Sequence, residues 1–573
     1  MCGLDNDKEF SAFCRQRTDK DARSRVWGGL RVSDETFDYI IVGAGTAGCV
    51  LANRLTESGR HRVLLIEAGG ADRNPWIHIP LGYGKLFTNP NVNWMFESEP
   101  EPELNNRRII QPRGKVLGGS SSINGLLYVR GQPQDFDHWR QLGNTGWSFD
   151  DVLPYFRKAE DQERGADDLH GAGGPLSVSD VSEPHPLCEA FIEASQQAGF
   201  PRNDDFNGPE QEGAGYFQLT ARKGRRCSTA RGYLKPARRR ANLKVASSAL
   251  TTRILMEGRR AIGVEYVQDG ETRLAHAAGE VILASGAFGS PQIMQLSGLG
   301  PADLLRSHGI NVVADMPGVG ADLQDHFQVR MAYRCTEKIT MNDVIHDWRL
   351  KLSTGLRYLL YKKGLLTIGA GYAGGFFRTD PSVATPDVQA HFIIFSSDKT
   401  GATLHTFPGF IASVCQLRPE SRGHVHIKSA DPRAAPAIQP RYLSAQHDRD
   451  VTVAGLQLLR RIMGQSAMRH YIAEERAPGE ACTSDADLLA YARDNGSTIF
   501  HPTSTCRMGS DVTAVVDERL CVRGIERLRV IDGAIMPTVV SGNTNAAIIM
   551  IAEKGADMVL ADAKAGAGVA RAA

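Results

Sequence analysis

No two of the ten cysteines, at positions 2, 14, 49, 188, 227, 335, 415, 482, 506 and 521, form a C-x-x-C pair. That argues against a zinc site or a disulfide framework and makes a reducing, cytoplasmic compartment the expectation. Charge of one sign is lacking too: Lys plus Arg is 66 against 65 Asp plus Glu, a net charge of +1. There is therefore no global basic field for nucleic acid and no acidic tail. No apolar run reaches the roughly 18 to 20 residues of a membrane span, and the N-terminus has no basic-then-apolar signal pattern. What is present is 573 residues with 42% hydrophobic side chains, enough for a large core and two or more domains.

The most informative stretch is Phe37 to Gly70. FDYIIV reads as a buried parallel strand, and Gly43, Gly45 and Gly48 follow as G-x-G-x-x-G. In that pattern the first glycine permits a tight turn, the second lets the main chain meet a pyrophosphate, and the third lets the next helix pack close. A helix from Thr46 to about Ser58 points its N–H groups and positive dipole end at the phosphates. RVLLIEAG then ends in Glu67, placed to accept hydrogen bonds from ribose hydroxyls. Strand, glycine turn, helix and terminal acid together predict a dinucleotide-binding unit.

Residues 1–34 are polar and read as an N-terminal extension without chemistry. After Gly70, a Pro/Gly/Asn-rich stretch reads as a long loop over the nucleotide, leading into QPRGKVLGGSSSINGLLYVRG, where backbone can approach a ligand closely. One helix is expected at 186–198, inside an excursion at 161–224. The basic cluster RRCSTARGYLKPARRRANLKV reads as a solvated helix face. EVILASGAFGSPQIMQ predicts a strand ending at small residues, with a helix beginning at Ser290-Pro291. Strands alternate with helices from about 326 to 495. There, WRLKLSTGLRYLLYKKGLL (348–366) is amphipathic and basic; a core-packed helix is preferred over one lying on a membrane. His424 and His426 share a strand face without a third metal ligand nearby in sequence, so no metal is assigned.

The C-terminal residues carry the chemistry. FHPTSTCRMG holds His501 beside Phe500, RLRVIDGAIMP ends a strand at Asp532-Gly533, and SGNTNAAIIM enters a helix at about Asn545, an N-cap by residue type.

GKVLGGSSSINGLLYVRGQPQDFD, GAFGSPQIMQLSGLG, HPTSTCRMG and SGNTNAA, with the Gly43 unit, resemble the glucose-methanol-choline family of flavin-dependent oxidoreductases, from about residue 36 to 562. By motif the chain is similar to bacterial alcohol and choline dehydrogenases and hydroxymethylfurfural-oxidase-like enzymes. The resemblance implies an α/β architecture: a Rossmann-like FAD-binding domain (35–160, 225–325 and 500–565) and a discontinuous α+β substrate-binding domain on an antiparallel sheet (161–224 and 326–499), with a tail at 566–573. It implies FAD on Gly43, Gly45, Thr46, Ala47, Gly48, Glu67 and Ala68. Val116, Gly118, Gly119, Asn124, Gly125, Leu126 and Leu127 lie alongside the flavin, with Thr251, Asp532, Gly533 and Ala546 completing the set. The position where some members tether the flavin through histidine is Ile123, so the FAD is expected to be non-covalent. His501 is the expected general base and Asn545 the donor to the substrate oxygen.

The activity implied is oxidation of a primary alcohol to the aldehyde, with hydride passing to flavin N5 and O2 or a quinone as acceptor. Phe500 suggests an apolar wall and aliphatic, benzylic or furanic substrates. Choline oxidation is an alternative that needs an aromatic cage with a carboxylate, and a hydroxynitrile-lyase-like, non-redox reaction is another. A nicotinamide dehydrogenase accounts for the first motif only. Peripheral membrane contact is not the preferred reading.

Overall fold

The computed structural model describes residues 25–27, 30–398 and 402–572. FDYIIV lies at the end of the strand Leu30–Val42. Val63–Glu67 runs parallel on one side of it and Leu243–Ser247 beyond; Glu271–Leu283 and then Leu528–Val530 run parallel on the other. All five residues of Val63–Glu67 are buried, as in a strand covered on both faces. Glu271–Leu283 belongs to two arrangements. Its first half pairs antiparallel with Arg260–Gln268, itself antiparallel to Ala249–Glu257, while Val281–Leu283 carry the parallel strand Leu528–Val530.

The helix Thr46–Thr56 lies against the C-terminal helix Asn545–Ala572, to which Arg54 is clamped by two 2.8 Å bonds to the buried Glu553 carboxylate. A bidentate pair of this kind fixes orientation as well as distance. Both helices therefore begin at the carboxyl ends of the parallel strands, where an open α/β sheet binds its ligand.

A second sheet is antiparallel throughout, in the order Ile472–Ala477, Phe327–Cys335, Gly409–Gln416, Val388–Ile393, Ala373–Phe377 and Gly213–Tyr216, with Ser497–Thr498 beside Phe327. Its central strands are buried along their length, covered by Leu456, Leu459 and Ile462 of the helix Gln446–Met463. The α/β architecture with a separate antiparallel sheet is thus the one expected. Leu176 and Val178, within the 161–224 excursion, pack into the core of the parallel sheet rather than the second one.

Several expectations change. Two paired strands, Arg25–Trp27 and the start of Leu30–Val42, lie inside the stretch read as extension, whose residues 1–24 are outside those described, and the last helix continues through the expected tail to Ala572. The helix expected from Ser290-Pro291 starts at Gly286 and encloses Pro291. Proline there frees the carbonyl of Ala287, which instead accepts the Thr505 hydroxyl at 2.7 Å. The basic cluster is not a solvated helix face throughout: Arg226 is buried and bonds Asn124. The helix Trp348–Tyr361 is not packed into the core; Tyr358 is its one buried residue.

Candidate active site

The glycine turn is built as its spacing predicts. A Cβ on Gly43 would lie 2.6 Å from the Ala284 carbonyl, at a φ of +99°, and one on Gly48 would meet the Gly43 carbonyl at 1.8 Å. A Cβ on Gly45 meets nothing closer than 3.8 Å, because it would point into an open cleft. Gly43, Gly45, Thr46, Ala47, Glu67, Ala68, Gly119, Thr251, Asp532 and Gly533 all line that cleft. Glu67 is held by the N–H groups of Ala44 at 2.9 Å and Gly69 at 2.7 Å, and burial raises its carboxyl to about 7. Asp532 accepts from Gly286 N–H and the Ser290 hydroxyl on one oxygen and from Ala534 N–H on the other.

An FAD fits what is present. The Gly45 backbone is open to the cleft, the Thr251 hydroxyl is buried there without a protein partner, and two helix N-termini face inward.

The cleft opens into a larger cavity of about 910 Å³; Thr46, Arg113, Ser120, Thr544 and Ile548 border both. Asn124, Gly125, Leu126, Leu127, Phe500, His501 and Asn545 line this second space. Gly48, Val116, Gly118 and Ala546 line neither and stand behind the walls. Asn124 is fixed by the buried Arg226 guanidinium at 2.6 Å. Ile123 is buried beside Ile77, Leu86, Val92 and Val116. Phe500 has a left-handed backbone, φ +73°, which costs a non-glycine residue roughly 1–2 kcal/mol. Bonds from its N–H to the Thr498 hydroxyl (2.6 Å) and from Arg113 to its carbonyl (2.6 Å) hold it there. That turn delivers the next residue, His501, to the seam between cleft and cavity.

The protonation state of His501 follows from its neighbours. The Leu417 carbonyl, 3.0 Å from His326 Nε2, can only accept, so His326 carries its proton on Nε2. Burial keeps His326 neutral, with its pKa lowered to about 4, and its Nδ1 is then an acceptor. His501 Nδ1, 2.9 Å away, must be the donor. His501 Nε2 is left with a lone pair, and it accepts from Asn543 Nδ2 at 3.2 Å. The amide of Asn543 is oriented in turn by Gln389, which donates to its Oδ1 at 3.2 Å. Burial, followed by His326, His391 and Arg113, holds His501 well below the usual imidazole range. The main chain is pinned as well: buried Asp325 accepts the N–H groups of His501 (2.7 Å) and His326 (2.9 Å), and the hydroxyls of Tyr442 and Thr498 at 2.5 Å each.

Asn545 is the first residue of its helix rather than its cap. Its Oδ1 accepts from the Thr46 hydroxyl at 2.9 Å, which leaves Nδ2 as its free donor among the described residues. Asp325, His326 and Asn543 escaped sequence reasoning. DLQDHF has no recognisable spacing, and Asn543 carries no signal in the sequence that separates it from Asn545.

Aromatic rings stand together in the cavity wall: Tyr83 with Phe87 at 5.6 Å and Phe87 with Phe500 at 5.3 Å. Among the described lining residues there is no aspartate or glutamate, while Lys85, Arg113, Arg330 and Lys351 all border the space. Arg330 Nε is buried without a partner.

Comparison with known proteins identifies the family. Two family models described as GMC oxidoreductase match, one over residues 37–328 and the other over 419–552. The chain is 43% identical to the oxygen-dependent choline dehydrogenase of Vibrio vulnificus over 528 residues, 91% of this chain and 94% of the relative. It is 43% identical to the mitochondrial choline dehydrogenase of Homo sapiens over 547 residues, 94% and 92% of the two. Among solved structures it is similar to pyridoxine 4-oxidase from Mesorbium loti, with a TM-score of 0.83, 30% identity and coverage of 91% and 98%. It is also similar to formate oxidase from Aspergillus oryzae, solved in connection with FAD modification, with a TM-score of 0.87, 27% identity and coverage of 93% and 99%. Nucleotide cleft, family models and relatives agree: the chain belongs to the GMC oxidoreductases, FAD-dependent enzymes that act on CH–OH donors.

Proposed function

We propose that the protein oxidises a primary alcohol to the aldehyde, with His501 as the general base. The observation that carries this reading is the chain Leu417 carbonyl, His326, His501, Asn543, which leaves a neutral imidazole with its Nε2 lone pair at the cavity wall. An alcohol hydroxyl donates to that lone pair in place of Asn543, and His501 takes the proton. Asn543 and the free Nδ2 of Asn545 then donate to the substrate oxygen as negative charge develops, in a site already desolvated. The N-terminus of the helix Asn545–Ala572 adds positive potential at the same place. FAD, when bound, supplies the acceptor for the hydride of the carbinol carbon. Ile123 offers no atom to bond the flavin, so the cofactor is held non-covalently.

The aromatic wall and the absence of a carboxylate among the described lining residues favour a neutral, apolar or benzylic alcohol. A second reading, choline oxidation, is favoured by the relatives, several of which are choline dehydrogenases. The Tyr83, Phe87 and Phe500 rings supply half of what a quaternary ammonium needs; the four lining cations oppose it. The oxygen-dependent relatives make O2 the acceptor to test first. Anaerobic absorbance of the FAD-loaded protein with benzyl alcohol, hexanol and choline decides between the readings. Bleaching by the neutral alcohols alone supports the first, and bleaching by choline the second. Bleaching by none, with cyanide released from a cyanohydrin, overturns the redox reading; recovery of colour in air identifies O2.

A further inference from the structure

Among the described residues, eight of the thirteen exposed large apolar side chains lie between Ile345 and Tyr361. Trp348 is 69% exposed, Leu359 67% and Leu360 70%, values found in neither core. With 3.6 residues per turn, Trp348, Leu352, Leu356, Leu359 and Leu360 fall at i, i+4, i+8, i+11 and i+12, one stripe about 120° wide. Thr354 and Tyr358 on the opposite side, and Gly355 at the edge of the stripe, border the substrate cavity. From Trp348 to Thr367 there are five cations, Arg349, Lys351, Arg357, Lys362 and Lys363, and no acid. Arg357 is paired with Glu183. A continuous apolar stripe flanked by cations is costly to leave in water, and it matches a surface that is apolar beneath and anionic at the headgroups.

We propose that the helix Trp348–Tyr361 docks the enzyme onto an anionic lipid bilayer. The stripe inserts at the boundary between headgroups and acyl chains, and Arg349, Lys362 and Lys363 meet the phosphates. Leu359 belongs to both the stripe and the cavity wall, and Trp76, 41% exposed, borders the same cavity from the facing segment. Docking therefore turns the cavity mouth toward the lipid. No helix among the described residues is long and apolar enough to cross a membrane, so attachment through this surface is peripheral and reversible.

The test is flotation of the FAD-loaded enzyme with vesicles of phosphatidylcholine alone and of an equimolar mixture with phosphatidylglycerol. The wild type is expected to float with the mixed vesicles and to be released by salt. The L352S/L356S/L360S variant, whose substitutions lie outside the cavity lining, should lose at least about tenfold in partitioning while retaining its turnover with a soluble dye. K362Q/K363Q should lose the preference for phosphatidylglycerol. A wild type that stays with the aqueous phase overturns the proposal. So does a triple variant that floats equally well, or a wild-type dimer that the triple substitution makes monomeric without any vesicle binding, because the stripe is then an interface between copies.

Discussion

His326 and His501 meet Nδ1 to Nδ1 at 2.9 Å, and because Leu417 dictates the proton on His326, it also dictates the one on His501. Replacing His326 with phenylalanine preserves bulk and removes the acceptor. We expect kcat to fall on the order of 10² or more with KM changed little, because the wrong tautomer disables a base without removing it. Unchanged kcat would show that His501 needs no partner. His326→Asn, which can still accept, should recover part of the loss.

His501→Ala should retain bound FAD, seen in the visible spectrum, and lose about 10² to 10⁴ in turnover. Near-wild-type rates would move the base elsewhere.

Gly45→Val adds side-chain atoms where the protein itself leaves room, at a φ of −75° that valine tolerates. The variant should fold, with far-ultraviolet circular dichroism like that of the wild type, and purify colourless. A yellow preparation with normal FAD content would remove Gly45 from the cofactor's path.

Arg330→Glu reverses a charge bordering the cavity. Choline kcat/KM should rise at least about tenfold, the scale of a new charge–charge contact in a partly desolvated site. Hexanol should change less. Equal effects on both would place Arg330 away from the bound substrate.

Acidity should leave activity unchanged over a range in which the buried histidines already cost stability. His501 must be neutral to work, and its lowered pKa predicts that kcat/KM holds as pH falls through 6.5. An acid limb at or above 6.5 would contradict the buried geometry. While Glu67 and Glu101, both raised to about 7, gain stability over that range by taking up protons, His326 at about 4 and His391 at about 3 lose it, because they refuse protons that the unfolded chain accepts below its ordinary value near 6.5. The cost approaches roughly 1.4 kcal/mol per pH unit for each of them. Denaturant midpoints measured between pH 7 and 5 on the wild type and on His326→Phe isolate the histidine part: the acid loss should be smaller in the variant.

The nucleotide half was legible because backbone sterics are local: Gly43 and Gly48 leave no room for a Cβ, and the spacing to Glu67 is set by one helix and one strand. His501 was visible through a long motif. His326 was not, since it lies 175 residues from His501 and long-range pairing, of Ser497–Thr498 with Phe327–Gln328 and of Thr503 with Gln324, brings them together. The helix Trp348–Tyr361 shows the opposite failure. Its periodicity is the same whether its stripe meets a core or a solvent, and the choice depends on what the rest of the chain leaves uncovered.

Leu417 follows the last residue of Gly409–Gln416, a strand of the antiparallel sheet, whereas the helix bearing Asn545 starts at the edge of the parallel one. Basicity at His501 is therefore a property of the junction and of neither unit separately. Substrate range can drift through the loops and helices farther along the antiparallel sheet, while the end at Leu417 stays fixed. A fragment carrying the nucleotide unit alone could retain its cofactor and still have no means of taking a proton.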